Sequence, residues 1–465
     1  MSGAQFDTLL VDGDVLLPEG RIERVDIGIS GGKIAAILAP GHGMTARVLA
    51  DMSGLTVLPG VIDVHLHLGH DKDISRPRVP ADAAQETAAA AAGGVTTMIP
   101  YLLATTPYET LFDEVRAVTE EGSRIDFGYH FIISTEEQLA GIGRYVSEYG
   151  APSFKIFMNN RGGEGARLGL PDIDDAFLYR LAEECTRHGG MVCPHPENIE
   201  VAQYLRKAVM ATPDAWPSGL AAWNASRPAF VEADAIQRAG TLCRAADAPL
   251  YVVHTSSREA LDAARTARER GTNITIETCP HYLTHDIGWS GGDIGKINPP
   301  LRTEADREAL WDGIRDGVVD TVATDHVHRH VSAKQGGIWN ASPGCPGMET
   351  LLPVMLSEGY HKRGIPLSRL MSMLSQKPAE AMGLSHCKGS IRPGLDADFA
   401  IVDLNASATV TSETVLSGAG YSLYEGWDLR GKVVHTYVRG ECVFERGALV
   451  DKAIGTGRYQ RRHLA

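Results

Sequence analysis

The sequence predicts an α/β protein: a TIM-type (β/α)8 barrel with a small β domain assembled from both chain ends. Eight short apolar runs alternate with Ala-, Glu- and Arg-rich helical stretches between residues 56 and 385, and a texture of short strands and Gly/Asp turns occurs at both ends. The 465 residues, 43% hydrophobic and 22% charged, provide core enough for one large barrel with an appendage and exclude a disordered or fibrous chain.

Residues 1–55 alternate apolar runs with turns (DTLLVDG, RVDIGISGGKIAAIL), which predicts the N-terminal part of the β domain. The barrel is expected over 56–385. Its eight runs lie at 58–68, 94–102, 124–133, 152–158, 189–198, 248–257, 273–283 and 318–326, each nearly continuous in apolar residues, as strands covered on both faces require. Helical stretches at 81–93, 172–189 and 257–271 supply crossovers. The segment 199–231 exceeds one crossover and holds Trp216 and Trp223, predicting an inserted helical hairpin over the barrel top. Short strands return in 386–465 (KGSIRPGLDADFAIVDL, GKVVHTYVRGECVFERG), followed by the tail GTGRYQRRHLA.

Charge and cysteines narrow the function classes. Lys plus Arg against Asp plus Glu gives 44 − 58 = −14, so neither nucleic acid nor an anionic membrane is an expected partner. Seven cysteines without a CxxC pair suggest neither a disulfide framework nor a thiolate zinc site. The first residues lack the basic, then apolar, pattern of a signal peptide, and no apolar run approaches the ~20 residues of a membrane span. A cytoplasmic protein acting on a small molecule is expected.

A TIM-type barrel places its chemistry at the C-terminal ends of its strands. Metal-binding side chains fall there: His65 and His67 on the first run, His195 on the fifth, His254 on the sixth and Asp325 on the eighth, with Lys155 on the fourth. The intervals 155 − 67 = 88, 195 − 155 = 40, 254 − 195 = 59 and 325 − 254 = 71 correspond to about three, one, one enlarged and two βα units of roughly 30 to 45 residues. His-x-His turns both imidazoles to one side of a strand and leaves Leu66 and Leu68 to face the helices. Alone, that pair reads equally well as two buried, satisfied histidines. With three further ligand types at the same barrel end, it points to zinc or a similar divalent ion. Lys155 stands apart, because an ammonium cannot ligate a cation. It either snorkels, pairs with a carboxylate, or becomes an anion.

The runs GVIDVHLHL, DFGYHFII, SFKIFM, HPEN, SRP, PLYVVHTSS, ETCPHYL, NPPLR, TDH and KGSIRPGLDADFAIVDL extend in order from about residue 55 to 405. They resemble the cyclic-amidohydrolase branch of the amidohydrolase superfamily, which comprises dihydropyrimidinases and hydantoinases, dihydroorotases and allantoinases. The resemblance implies a distorted TIM barrel with a β-sandwich from both termini. It also implies two divalent ions, zinc or manganese, bridged by N6-carboxylysine at Lys155. Carried over residue by residue, His65, His67, Lys155 and Asp325 hold the more buried ion, and Lys155, His195 and His254 the more exposed one. The implied reaction is the opening of a cyclic amide (a hydantoin, dihydropyrimidine, imide or ureide ring) by a metal-bridging hydroxide, Asp325 passing the proton to the leaving nitrogen. The branch further implies a homo-oligomer, tetramer or dimer, with the tail reaching a neighbour.

Two departures bear on the substrate. Hydantoinases and dihydropyrimidinases carry a tyrosine five residues after the carboxylated lysine to steady the oxyanion; this sequence has Asn160, whose amide donates with a different reach. Dihydroorotases carry an Arg shortly after His-x-His; here stand Gly69 and His70, which disfavours dihydroorotate. Allantoinases also lack the tyrosine, so a ureide stays open. Ring contacts are expected from Asn298 and Asn340, both equally readable as turn formers, and Arg161 and Arg302 are candidates for an anionic group of the substrate. His326 is expected behind the ligands and His281 at the barrel mouth, while His328 and His330 belong to a histidine-rich HVHRH stretch with no assigned role. The alternatives are an allantoinase- or dihydroorotase-type activity, an acyclic amide hydrolase, and a catalytically silent scaffold of the same fold. Collapsin-response-mediator relatives, which have lost metal ligands, exemplify the last.

Overall fold

The computed structural model describes residues 5–216 and 218–464, and of Arg167 only the backbone. The barrel strands are Val61–His67, Val95–Leu102, His130–Ile132 with a short preceding piece Asp126–Phe127, Ser153–Phe157, Met191–His195, Leu250–Val252, Ile274–Thr278 and Thr321–Val322. They pair in parallel, and His326–Val327, the continuation of the last strand, pairs with Val61–His67, so the sheet closes on itself. Each of the eight expected runs contains one of these strands. Every residue of Val61–His67 and Val95–Leu102 is buried, which is why their sequences show no polar alternation. Two register shifts between these strands distort the barrel.

The expected crossovers form helices Pro80–Ala92, Asp175–His188 and Arg258–Glu269. Asp174 and Ser257 cap the latter two by accepting from Phe177 N and Ala260 N. Leu66 and Leu68 pack with the helix-facing core, whereas Ile99, Tyr101, Cys193 and Val253 belong to a second apolar cluster that also includes Ile62 and Val64. The insert is helical, Ile199–Ala211 and Gly219–Ser226, and Ala229–Ala245 then serves as the ordinary crossover.

Both chain ends enter one nine-stranded, mainly antiparallel sheet with its own apolar cluster around Ile27, Val57 and Phe399. Strand Thr56–Pro59, grouped with the barrel in the sequence reading, belongs to this sheet: it pairs with Phe399–Thr409, and the chain crosses into the barrel at Gly60. Near the barrel base, the buried Lys388 Nζ reaches Asp126 at 2.7 Å, Asp396 at 3.0 Å and Asp398 at 2.6 Å, tying the C-terminal segment to the barrel.

The tail lies along its own barrel. Phe127 N donates to Arg458 O (3.0 Å), Gln460 N to Phe127 O (2.7 Å) and Arg462 N to Gly150 O (2.9 Å). The Arg462 guanidinium is fully buried, donating to Ser153 Oγ at 2.8 Å and to Tyr129 O. An extended, turn-poor stretch offers backbone groups that need partners, and the barrel base supplies them. Among the described residues no helix is long and apolar enough to cross a membrane.

Candidate metal centre

Six side chains from five strand ends converge at the barrel mouth. His65 Nε2 lies 3.2 Å from Asp325 Oδ1 and 3.3 Å from Lys155 Nζ; His67 Nε2 lies 3.7 Å from the same Asp325 oxygen. His254 Nε2 stands 2.9 Å from His195 Nδ1, and the His65 and His254 rings are 5.3 Å apart. His254 and Asp325 adopt φ of +42° and +49°, the left-handed region that non-glycine residues avoid. At Asp325 this break splits the eighth strand in two.

Carboxylates behind the imidazoles set their tautomers. Glu277 Oε1 accepts from His65 Nδ1 at 2.6 Å, so Nε2 keeps its lone pair toward Asp325. Glu197 Oε2 accepts from His195 Nε2 at 2.7 Å, leaving the Nδ1 lone pair toward His254, and Arg227 holds Glu197 at 2.7 Å. Glu277 also accepts from His254 N (2.8 Å) and from the Tyr251 hydroxyl (2.9 Å). Nitrogen lone pairs directed inward, with a carboxylate beside them, are the donor set of a divalent-cation site, and the residues fit one.

The electrostatics divide the imidazoles: burial and Lys155 oppose a charged His65, but Glu277 and Asp325 outweigh them and raise its pKa. Burial pushes His67 down to about 3 and His254 well below its ordinary value, so both are neutral imidazoles at pH 7, the form that can ligate a cation. Burial opposes a charged Asp325, yet His65, His67 and Lys155 outweigh it and hold this carboxyl below its usual range. Burial depresses the Lys155 amine against the pull of Asp325 and Glu277. Its Nζ sits 4.6 Å over the Tyr101 ring, which stacks on His130.

A cavity of about 560 Å³ opens on this cluster. Asn160 lines it with a buried Nδ2, and Asn298 with a buried Oδ1, neither of which has a partner among the described residues. Asn340 also lines it, but spends its amide on Gly336 O at 2.9 Å, as a turn former does. His326 points away, 3.1 Å from Glu86 and accepting from Gly347 N. His281 is buried, with Nδ1 3.8 Å from Cys345 Sγ. His328 lines a larger outer cavity, and His330 accepts from Ser332 N.

Two expectations fail on geometry. Arg161 is not among the cavity's lining residues: it donates to Ile173 O (2.7 Å) and pairs with Asp175 and, at 3.4 Å, Glu200. Arg302 is buried against Glu232 (3.1 Å) and Ser256 (2.9 Å). Local acids claim both guanidiniums, and neither lines the cavity. Conversely, Glu197, Arg227 and Glu277 were overlooked, although each sits inside a motif already quoted: HPEN, SRP and ETCPHYL.

The amidohydrolase family model matches residues 56–443. The chain belongs to the amidohydrolase family. It is 35% identical to an allantoinase of Rubrobacter xylanophilus, with 97% of each chain covered, and 32% identical to an L-hydantoinase of Paenarthrobacter aurescens over the same shares. Among solved structures, the dihydropyrimidinase of Brevibacillus agri superposes with a TM-score of 0.89 at 29% identity, covering 98% of this chain and 99% of that one. This amidohydrolase therefore shares both the barrel and the terminal β domain with whole-length relatives.

Proposed function

We propose that the protein is a metal-dependent hydrolase that opens a cyclic amide of the hydantoin, dihydropyrimidine, imide or ureide type. The observation that carries this reading is the inward direction of the His65 and His195 lone pairs, each enforced by a buried carboxylate, around Asp325 and Lys155. His65, His67 and Asp325 would hold one divalent ion and His195 and His254 a second, and Lys155, carboxylated on Nζ, would add oxygen donors. In that form the lysine offers oxygens in place of an ammonium that would repel cations. When bound, the two ions supply a lowered pKa for water and polarise the scissile carbonyl.

The chain's own groups do the rest. Asp325 takes the proton released by water and returns it to the leaving nitrogen. The Asn160 Nδ2 donates to the carbonyl oxygen as charge develops there, in place of the tyrosine of hydantoinases. The Asn298 Oδ1 accepts a ring N–H, and Trp223, buried in the wall, excludes water. Zinc or manganese suits the nitrogen and oxygen ligands. The seven unpaired cysteines fit a reducing cytoplasm, and the whole-length likeness to hydantoinases supports a tetramer or dimer.

The test is protein prepared with zinc or manganese and bicarbonate, assayed for metal content and for ring opening of hydantoins, dihydrouracils, allantoin and cyclic imides. Two ions per chain and turnover of at least one ring are expected. Folded protein that takes up no metal and opens none of these rings removes the reading.

A further inference from the structure

The tail does more than lie against the barrel base. Leu464 packs on the inner apolar cluster that contains Val64, Tyr101 and Cys193. Two glycines leave room for its approach: a Cβ at Gly150 would stand 2.8 Å from Arg461 Cβ, and one at Gly383 would strike His463 O. Between these contacts Arg462 carries its guanidinium to Ser153, fully out of reach of solvent. Burial lowers Arg462 to about 10, which leaves it charged at pH 7.

From Arg462 a hydrogen-bonded relay of fixed polarity runs toward the barrel mouth. A guanidinium can only donate, and Arg462 Nη2 donates to Ser153 Oγ at 2.8 Å. A backbone carbonyl can only accept, and Val64 O lies 2.9 Å from His130 Nε2. His130 therefore carries its proton on Nε2, and the Ser153 hydroxyl donates to the bare Nδ1 at 2.6 Å. Burial and the charge of Arg462 hold His130 well below its ordinary pKa, so the ring is neutral, as this scheme requires.

The relay meets the strands that carry the metal ligands. Ser153 stands two residues before Lys155, on the same face of one strand. Val64 O belongs to the peptide that joins Val64 to His65. Tyr101 stacks on His130 with ring centres 4.2 Å apart, meets the His65 ring edge-on at 5.0 Å and stacks on His67 at 5.6 Å. Lys155 Nζ lies 4.6 Å over the same tyrosine ring. Ser153, His130 and Tyr101 are all buried, so the whole column is shielded from bulk water.

Resting on the metal-centre reading above, we propose that Arg462 is a positioning residue for that centre: through Ser153, His130 and Tyr101 it sets the floor under His65, His67 and Lys155, so that tail seating and metal binding favour each other. Arg462 touches none of the ligands. Without its guanidinium the Ser153 hydroxyl is free to turn, the His130 proton is free to move to Nδ1, and Val64 O then loses its donor. The coupling is reciprocal, since any factor by which the seated tail raises metal affinity is the factor by which the metals hold the tail.

Arg462→Met keeps the stem and deletes the donors. In the full chain prepared with zinc and bicarbonate, metal affinity, read by competition with a chelator, should fall about 10- to 100-fold, the usual loss when a group behind the ligands is removed, while circular dichroism stays native. Ser153→Ala should lose about as much, and the double variant no more than either alone, because both cut one relay. Arg462→Lys, still a donor, should recover part of the loss. Lys388→Met, which loosens the barrel base elsewhere, should leave metal affinity unaltered; an equal loss there would reduce Arg462 to a residue of general stability and overturn the proposal. The unaltered enzyme supplies the converse measurement, which decides the matter if Arg462→Met does not fold. Hydrogen exchange at the Gln460 and Arg462 amides, bonded to Phe127 O and Gly150 O, should slow about tenfold or more when zinc binds, while the Val450 amide of the β domain is unaffected. Unchanged metal affinity in folded Arg462→Met protein, or tail exchange indifferent to zinc, overturns the proposal. Metal uptake and ring opening that ignore Arg462 defeat this inference alone, whereas a chain that takes up no metal defeats the hydrolase reading and this one with it.

Discussion

Two buried lysines, one toward the mouth of the barrel and one near its base, face opposite surroundings. Lys388 is gripped by three carboxylates, Asp126, Asp396 and Asp398, and the charges of Asp398 and Asp396 raise its pKa despite burial. Lys155 sits among imidazoles with inward lone pairs and one nearby carboxylate, and burial lowers its pKa. Both clusters contain enough acids and histidines to suggest a cation site, and among the described residues the groups His65/His67/Asp325 and Asp126/Asp396/Asp398 are the two that bring three such ligand atoms together. The difference is who neutralises whom. At the base the ammonium already plays the cation and the cluster is complete. At the mouth the donors outnumber what one amine can satisfy, and the surplus is the capacity for chemistry.

The sharpest break of that contrast is to remove one partner on each side. Asp325→Asn should lower kcat/KM by about 10² to 10⁴, the range for lost general acid–base function, while circular dichroism stays native. Lys388→Met should do the reverse. Asp126 and Asp396 would keep Arg439 and Lys33, but the loss of the shared buried ammonium costs about 3–5 kcal/mol in denaturant unfolding, and the protein that remains folded should keep its metal and its turnover per ion. An inactive but stable Lys388→Met protein would show that the base cluster does more than join the chain ends to the barrel.

A subtler change strikes the supports rather than the donors. Glu277→Gln keeps the shape but loses the charge that fixes the His65 tautomer, so metal affinity should fall about 10- to 100-fold, read by competition with a chelator. The smallest effect concerns a third buried lysine, Lys334, whose pKa lies at about 7 in the fold against 10.5 ordinarily. Between those values the unfolded chain holds a proton that the folded chain does not, so stability rises with pH from about 7 to 10.5 and levels off above. The slope is at most about 1.4 kcal/mol per pH unit. Lys334→Met should remove that portion of the rise, measured as the urea midpoint across the window.

The barrel was legible because strands covered on both faces must be apolar throughout, and runs such as VTTMIPYL leave few other readings. The ligand set was legible because chemistry concentrates at strand ends, where His67, His195 and Asp325 stand. What escaped depends on partners distant in sequence. Glu277 and Glu197 look like ordinary polar residues at strand ends until His65 and His195 are folded against them. Arg161 and Arg302 looked available because a sequence displays a charge without its mate, here Asp175 and Glu232. Thr56–Pro59 was assigned to the barrel because it is as apolar as the strand it precedes; only its ladder to Phe399–Thr409 reveals the other allegiance.

That ladder has a cost in time. Strand Thr56–Pro59 leaves the ribosome 399 − 59 = 340 residues before the partner that begins at Phe399, an interval of about 20 to 70 s at 5–20 residues per second. Throughout it, one edge of the N-terminal sheet lacks its complement and offers open backbone groups to any passing strand. A nascent chain of this design benefits from a holding chaperone early in translation, and a slow stretch of message placed before residue 399 would lengthen its most aggregation-prone period.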